Sequence, residues 1–172
     1  NSIVNVRKTM KQLLQQCAAY TIWANQKMFD CISGLTEEQI DREIASSFPS
    51  LRKTVIHMWD AECAWWQRLK LVEKIEIPSA SFSGNFQELI KKVNQQSLLW
   101  KEWVDNATEV QLQHVFAYRN TKKEEFKQPV NEVLIHLFNH ATYHRGQLVT
   151  ILRQLGVDKI PQTDFVVYCR KK

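Results

Sequence analysis

The sequence contains little glycine or proline, with four of each in 172 residues. Both residues interrupt helices, glycine through its backbone freedom and proline through its missing N–H group. Leucine, alanine, glutamine, glutamate, lysine and arginine fill long periodic stretches, and all six favour helix. The composition therefore predicts a mostly helical protein, and the length suits a single domain over residues 1–172.

Paired cysteines, long apolar runs and clustered charge are also missing. The four cysteines are widely spaced without a Cys-x-x-Cys pair, which favours reduced thiols in a cytoplasmic protein. No apolar run approaches the roughly 20 residues of a membrane span, and the N-terminus lacks the apolar core of a signal peptide. The net charge of +5 is spread along the chain without a basic stripe or reading motif. We therefore expect a cytoplasmic protein that contacts neither membrane nor nucleic acid.

Apolar residues recur at helical spacing in four long segments. The predicted helices extend over about residues 4–32, 51–73, 85–104 and 129–155, with Pro129 in the first turn of the fourth. Thr36 and Thr108 each begin a capping-box pattern, which predicts a short connecting helix. The helical period is lost at residues 114–128, which predicts a small extended segment. The sequence therefore indicates an all-α four-helix bundle, against which the apolar tail after residue 161 is expected to pack.

Three of the five histidines, His136, His140 and His144, are spaced four residues apart on the fourth predicted helix. On a helical wheel His144 and His140 point toward the apolar face, whereas His136 lies on its shoulder. Two inward imidazoles one turn apart need partners for their ring nitrogens. Such a pair can also chelate one metal ion, because both rings can reach it.

A third ligand has to come from another helix, and His57 is the other histidine on a predicted helix. The wheel does not place His57 on the main apolar stripe of its helix. Either this helix is buried on two sides or His57 is exposed. The periodicity alone also allows histidines that are satisfied by hydrogen bonds and hold no metal.

Residues 136–147 read His-Leu-Phe-Asn-His-Ala-Thr-Tyr-His-Arg-Gly-Gln. This segment resembles the last-helix signature of the DinB/YfiT-like family of metal-dependent four-helix bundles, His-x-x-Asn-His-x-x-x-His-Arg-Gly-Gln. Residues 20–25, 57–66, 155–156 and 163–165 also match that family's pattern. The resemblance therefore covers essentially the whole chain.

The resemblance implies a metal site formed by His57, His140 and His144. It implies one divalent transition-metal ion, with zinc or nickel favoured and iron or manganese as alternatives. Family members include thiol-dependent transferases, which suggests transfer of a low-molecular-weight thiol to an electrophile, or a related hydrolase or isomerase reaction on a small-molecule substrate. A homodimer is compatible with the resemblance. The alternative function is a non-catalytic stress-response bundle that binds a metal or a partner.

Three further residues near the predicted ligands have open roles. Glu62 is interpreted either as a hydrogen-bond acceptor for a ligand histidine or as an ion-pair partner of Arg68 or another basic residue. Gly146, inside a helix, suggests close helix contact, access for a ligand, or a surface glycine without a role. His136 is expected to support the ligands from outside the site or to lie on the surface.

Overall fold

The computed structural model describes residues 8–170. Within that range the chain forms seven α-helices, one short 3-10 helix and a two-stranded hairpin. The long helices are α1 (Met10–Ser33), α3 (Leu51–Leu69), α4 (Phe86–Asn106) and α6 (Val130–Gln154); the short ones are α2 (Glu37–Asp41), α5 (Glu109–Gln113) and α7 (Phe165–Cys169). No helix in this part of the chain is long and apolar enough to cross a membrane. The prediction of an all-α four-helix bundle is confirmed.

Local capping interactions set most helix starts. Thr9, Thr36, Asn85 and Thr108 each accept a hydrogen bond from the backbone N–H three residues on, and the side chain there reaches back to the cap. Such reciprocal boxes satisfy N–H groups that have no partner inside the helix. With Thr9 as its N-cap, α1 begins at Met10, which is later than the predicted start near residue 4. Residues 4–7 of the predicted helix lie outside the described range.

Two other predicted boundaries were wrong. The helix expected to reach about residue 73 ends at Leu69, and Leu71 has a φ of 55°, which no right-handed helix accommodates. Pro129 does not lie in the first turn of α6 but is its N-cap, with an extended ψ of 148°. The reason is that Pro129 is also the last residue of a strand.

The segment that loses the helical period is a β-hairpin, as the extended pattern predicted. Strand β1 (Val115–Arg119) pairs antiparallel with β2 (Glu125–Pro129), with Val115 opposite Pro129. The Asn120 side chain accepts from the backbone N–H groups of Lys122 and Glu124, which closes the loop. The hairpin leads directly into α6.

Each long helix packs against two others: α1 and α3 both contact α4 and α6. The apolar core has two clusters, one centred on residues such as Phe29 and Leu89, the other on residues such as Trp100 and Leu134. Because α3 is covered by α4 on one side and by α6 on another, residues outside its apolar stripe are covered as well. This two-sided burial resolves the alternatives for His57, which lies on the side of α3 that faces α6.

Candidate metal centre

Three histidine side chains meet where α3 packs against α6. His57 lies in the second turn of α3, and His140 and His144 lie one turn apart on α6. The Nε2 atom of His140 lies 3.1 Å from His57 Nε2 and 3.0 Å from His144 Nε2. One nitrogen from each ring lies within 4.8 Å of the others. The structure thus brings together the three residues that the sequence singled out.

The donor set and spacing fit a transition-metal ion. Ligands about 2.0–2.1 Å from zinc lie about 3.3 Å apart at tetrahedral angles and about 2.9 Å apart at right angles. The two measured contacts of 3.0 and 3.1 Å fall between these values. Imidazole nitrogen suits zinc, nickel, iron and copper ions better than calcium or magnesium.

Burial keeps the imidazoles unprotonated. It lowers the pKa of His57 to about 4, with a further contribution from the charge of His144. Burial also lowers the pKa of His140 to about 3, and the charges of His144, His57 and His136 act in the same direction. Neutral rings present lone pairs, which is the form in which imidazole binds a metal.

Gln147 fixes the orientation of His144. The Nδ1 atom of His144 lies 2.6 Å from Gln147 Oε1. An amide oxygen only accepts, so Nδ1 carries the proton and Nε2 directs its lone pair toward His140. The Gln147 amide nitrogen in turn donates to Ser47 Oγ over 3.3 Å. The hydrogen bond between His144 and Gln147 opposes the effect of burial, which lowers the pKa of His144.

The segment between α2 and α3, residues 42–50, covers one side of the histidines. The Phe48 ring stacks on His57 with centroids 3.9 Å apart and meets His144 edge-on at 5.7 Å. The Phe48 carbonyl accepts from the Thr54 hydroxyl and from Ser50 N–H, which anchors the segment to the start of α3. Phe48 thereby limits the access of water to His57.

His136 does not join the three nitrogens. Its side chain is exposed, and its ring lies 5.9 Å from His140 and 5.4 Å from Trp65. The structure therefore agrees with the position that the helical wheel gave it on the shoulder of the apolar face.

The predicted partners of Glu62 were wrong. Its carboxylate accepts from the Ser97 hydroxyl at 2.8 and 3.1 Å, and in the described part of the chain it forms neither a hydrogen bond to a ligand histidine nor an ion pair with Arg68 or another basic residue. The hydrogen-bond partner of Glu62 is on α4, which covers one of the two buried sides of α3. Arg68 instead stacks on Trp65 and donates from Nε to the carbonyl of Arg119.

Gly146 does not mark a close helix contact. A Cβ atom added there would meet nothing within 4 Å. Access for a ligand and a surface glycine without a role are the two interpretations that the geometry allows.

Sequence reasoning did not assign roles to Gln147 and Phe48. Gln147 could have been found, because a residue three positions after His144 lies on the same side of the helix. Phe48 carried no comparable signal, since its contact with His57 depends on how a loop folds back over two helices.

Comparisons with known proteins agree with the fold. The family model described as the DinB family matches residues 10–171. Protein DinB of Bacillus subtilis (strain 168) is 29% identical over 159 residues, which cover 87% of this chain and 89% of that protein.

Two solved structures show the same fold. A DinB-like protein from Bacillus cereus ATCC 10987 superposes with a TM-score of 0.68 and 22% identity, covering 87% of this chain and 94% of that chain. YfiT from Bacillus subtilis, described as a probable metal-dependent hydrolase with an unusual four-helix bundle topology, gives a TM-score of 0.69 and 15% identity, covering 91% and 94%. Since the family model spans nearly the whole sequence, the chain belongs to the DinB family.

Proposed function

We propose that the protein is a divalent-metal-dependent enzyme whose metal is bound by His57, His140 and His144. The observation that carries this proposal is the convergence of three Nε2 atoms, with contacts of 3.0 and 3.1 Å, between α3 and α6. Neutral imidazoles have one N–H each, and His144 directs its own toward Gln147. The three Nε2 atoms therefore carry too few protons for both of their contacts to be hydrogen bonds. A cation between them could accept a lone pair from each of the three nitrogens.

Three protein ligands leave coordination positions for water or substrate, as in catalytic rather than structural zinc sites. A divalent ion held there would lower the pKa of a coordinated water or thiol toward neutrality. Zinc and nickel suit the all-nitrogen ligand set, with iron or manganese as alternatives. The chain's own residues orient and shield the site: Gln147 holds the His144 ring, and Phe48 covers His57.

The reaction that we propose is attack of an activated water or low-molecular-weight thiol on a small electrophile. In the thiol reaction a carbon–sulfur bond forms, the leaving group departs with its electron pair, and the thiol proton passes to solvent. The description of YfiT as a probable metal-dependent hydrolase supports the water version. The family resemblance of residues 136–147 supports the thiol version.

Metal analysis tests the site itself. Protein purified without chelator should contain about one equivalent of a transition metal by inductively coupled plasma measurement. His57→Ala, His140→Ala and His144→Ala should each lose most of it. His114→Ala is the matched control, because His114 is an exposed histidine beside the hairpin and should retain the metal. Metal-free wild-type protein, or triad variants that bind as wild type, would refute the proposal.

Turnover separates an enzyme from a bundle that only binds metal. Metal-loaded protein is assayed with a panel of carboxylic esters for hydrolysis, and with cysteine plus chlorodinitrobenzene for thiol transfer. Activity that disappears in His144→Ala while the circular dichroism spectrum is retained supports the enzyme. Turnover that is the same in His144→Ala as in wild type would remove the site from catalysis. The homodimer stays a prediction, to be tested by sedimentation equilibrium.

A further inference from the structure

A concave site lies on a different side of α6 from the histidines. It is a cleft of about 480 Å³ between α1, α6 and the chain that leads into α7. At about 100° per residue, Thr142 and Val149 lie roughly 140–180° around α6 from His140 and His144, and Arg145 lies about 100° from His144 and about 140° from His140. Its volume is within the range of about 300–1,000 Å³ that small-molecule sites occupy.

Arg145 places a positive charge at this cleft. The residue lines the cleft but is only 2% exposed. Its Nη1 atom donates to Asn25 Oδ1 over 2.9 Å, and its Nη2 atom donates to Thr142 Oγ1 over 2.8 Å. The guanidinium also lies 5.1 Å from the centre of the Tyr20 ring. These neutral partners hold the group in a fixed orientation.

The charge of Arg145 has no close counter-ion. Within residues 8–170, no carboxylate lies within 4.0 Å of its guanidinium. Glu62 acts on it from farther away, and Asp164, which is exposed, also lines the cleft without pairing with it. A buried charge is costly unless it is paired. The hydrogen bonds to Asn25 and Thr142, and the contact with Tyr20, leave part of the five N–H groups for another acceptor. A carboxylate matches the planar fork of guanidinium best.

Gly146 keeps part of the cleft wall open. A glycine inside a helix is destabilising relative to alanine, so it needs a reason. Neither usual reason applies, because Gly146 does not have a positive φ and an added Cβ would contact nothing within 4 Å. The residue lines the cleft, so that a side chain there would enter the space that a ligand would occupy.

The remaining walls indicate what else the ligand carries. The ring of Tyr20 and the side chains of Phe138, Val149 and Phe165 give the cleft apolar and aromatic surfaces. Tyr20 is fixed, since its hydroxyl donates to the Thr163 carbonyl over 2.7 Å and its ring meets Phe165 edge-on. We infer that this cleft binds a small aromatic carboxylate, with the carboxylate on Arg145 and the ring between Phe138, Val149 and Phe165. The site is separate from the metal centre and does not rest on the proposed function.

The probe that tests this inference is 3-phenylpropionate, titrated into the wild-type protein and followed by isothermal calorimetry. Binding should saturate with one equivalent, and 3-phenylpropanamide should bind at least about 10-fold more weakly, because it cannot form a charge-assisted pair with Arg145. The propionate should also slow alkylation of Cys17, which lines the cleft, and leave that of Cys31 unchanged. No saturable binding, or equal binding of acid and amide, would overturn the inference.

Two variants of Gly146 distinguish a ligand site from a packing defect. Gly146→Ala should raise the Tm of the ligand-free protein, because alanine favours helix and meets no neighbour. Gly146→Leu should fill the cleft and weaken binding of 3-phenylpropionate at least about 10-fold, with an unchanged circular dichroism spectrum and metal content. Arg145→Gln should give a similar loss of binding where it folds. Unchanged affinity in folded Gly146→Leu would refute the proposed binding position.

Discussion

Glu62 is a buried carboxyl in the centre of the bundle. It is 7% exposed, and among residues 8–170 its carboxyl accepts only from Ser97, while its backbone carbonyl accepts from the Trp100 indole. Burial raises its pKa to about 7, against the smaller opposing effects of the Ser97 hydrogen bond and the charge of Arg145. This carboxyl therefore changes its charge near neutral pH inside the core.

The raised pKa of Glu62 makes stability depend on pH. The folded protein holds this proton up to about pH 7, whereas the unfolded chain releases it near 4.5. Protonation of Glu62 therefore contributes about 3 kcal/mol to the free energy of unfolding below about pH 4.5, and this contribution is lost as the pH rises through 7. Glu62→Gln cannot ionise and still accepts from Ser97, so it should lose stability less steeply than wild type between about pH 5 and about pH 8.

Urea unfolding of both proteins at matched metal content measures this difference. The free energy of unfolding of wild type relative to Glu62→Gln should fall with increasing pH, and the glutamine variant should be the more stable above about pH 7. A difference that is constant across this range would show that Glu62 is ionised in the folded protein throughout. The histidines contribute equally to the pH dependence of the free energy of unfolding in both proteins, so their contribution cancels in the comparison.

At the scale of elements, the covering segment formed by residues 42–50 controls access to the histidines. The stack of Phe48 on His57, at 3.9 Å, closes one face of the ring. Removing the phenyl group in Phe48→Ala should admit water and raise the pKa of His57 from about 4 toward its ordinary value. Transfer of bound zinc to an added chelator should become roughly 10-fold faster, since the apolar surroundings of a metal site limit solvent access.

Stopped-flow release of zinc to a chromogenic chelator measures this rate. Phe126→Ala is the matched control: Phe126 is exposed on β2, and its ring stacks on Tyr118 rather than on a histidine. The control should release zinc as wild type does. Equal rates in Phe48→Ala and wild type would mean that residues 42–50 do not cover the metal site in solution.

The elements also show how far the sequence could predict this structure. Helix starts at Thr36, Asn85 and Thr108 were predictable, because a capping box is local chemistry within four residues. His140 and His144 were predictable from the period of one helix. The direction of His57 was not, since it depends on α6 packing against the second side of α3. The partner of Glu62 was missed for the same reason, because α4 covers that helix from another direction.

At the scale of the whole molecule, polar residues separate two apolar clusters. Asn25, Glu62, Ser97, His144 and Arg145 are all buried, and they belong to four different long helices. Buried polar groups cost stability unless they are bonded, and they constrain how helices align because their partners are specific. Along α1, α3 and α4, the residues Asn25, Glu62 and Ser97 lie between the residues of the two apolar clusters.

A metal ion at the histidines should stabilise the whole bundle. His57 is on α3 and the other two ligands are on α6, so the ion would link helices that are far apart in sequence. Because the unfolded chain does not hold the three rings together, zinc at about 100 times its Kd should add about 2.7 kcal/mol to the free energy of unfolding. For a chain of this length that corresponds to a rise in Tm of about 5–10 °C, measured calorimetrically with zinc against chelator-treated protein. His140→Ala should show no such rise, while His114→Ala should match wild type; a rise of equal size in His140→Ala would mean that zinc stabilises the fold from somewhere other than these three histidines.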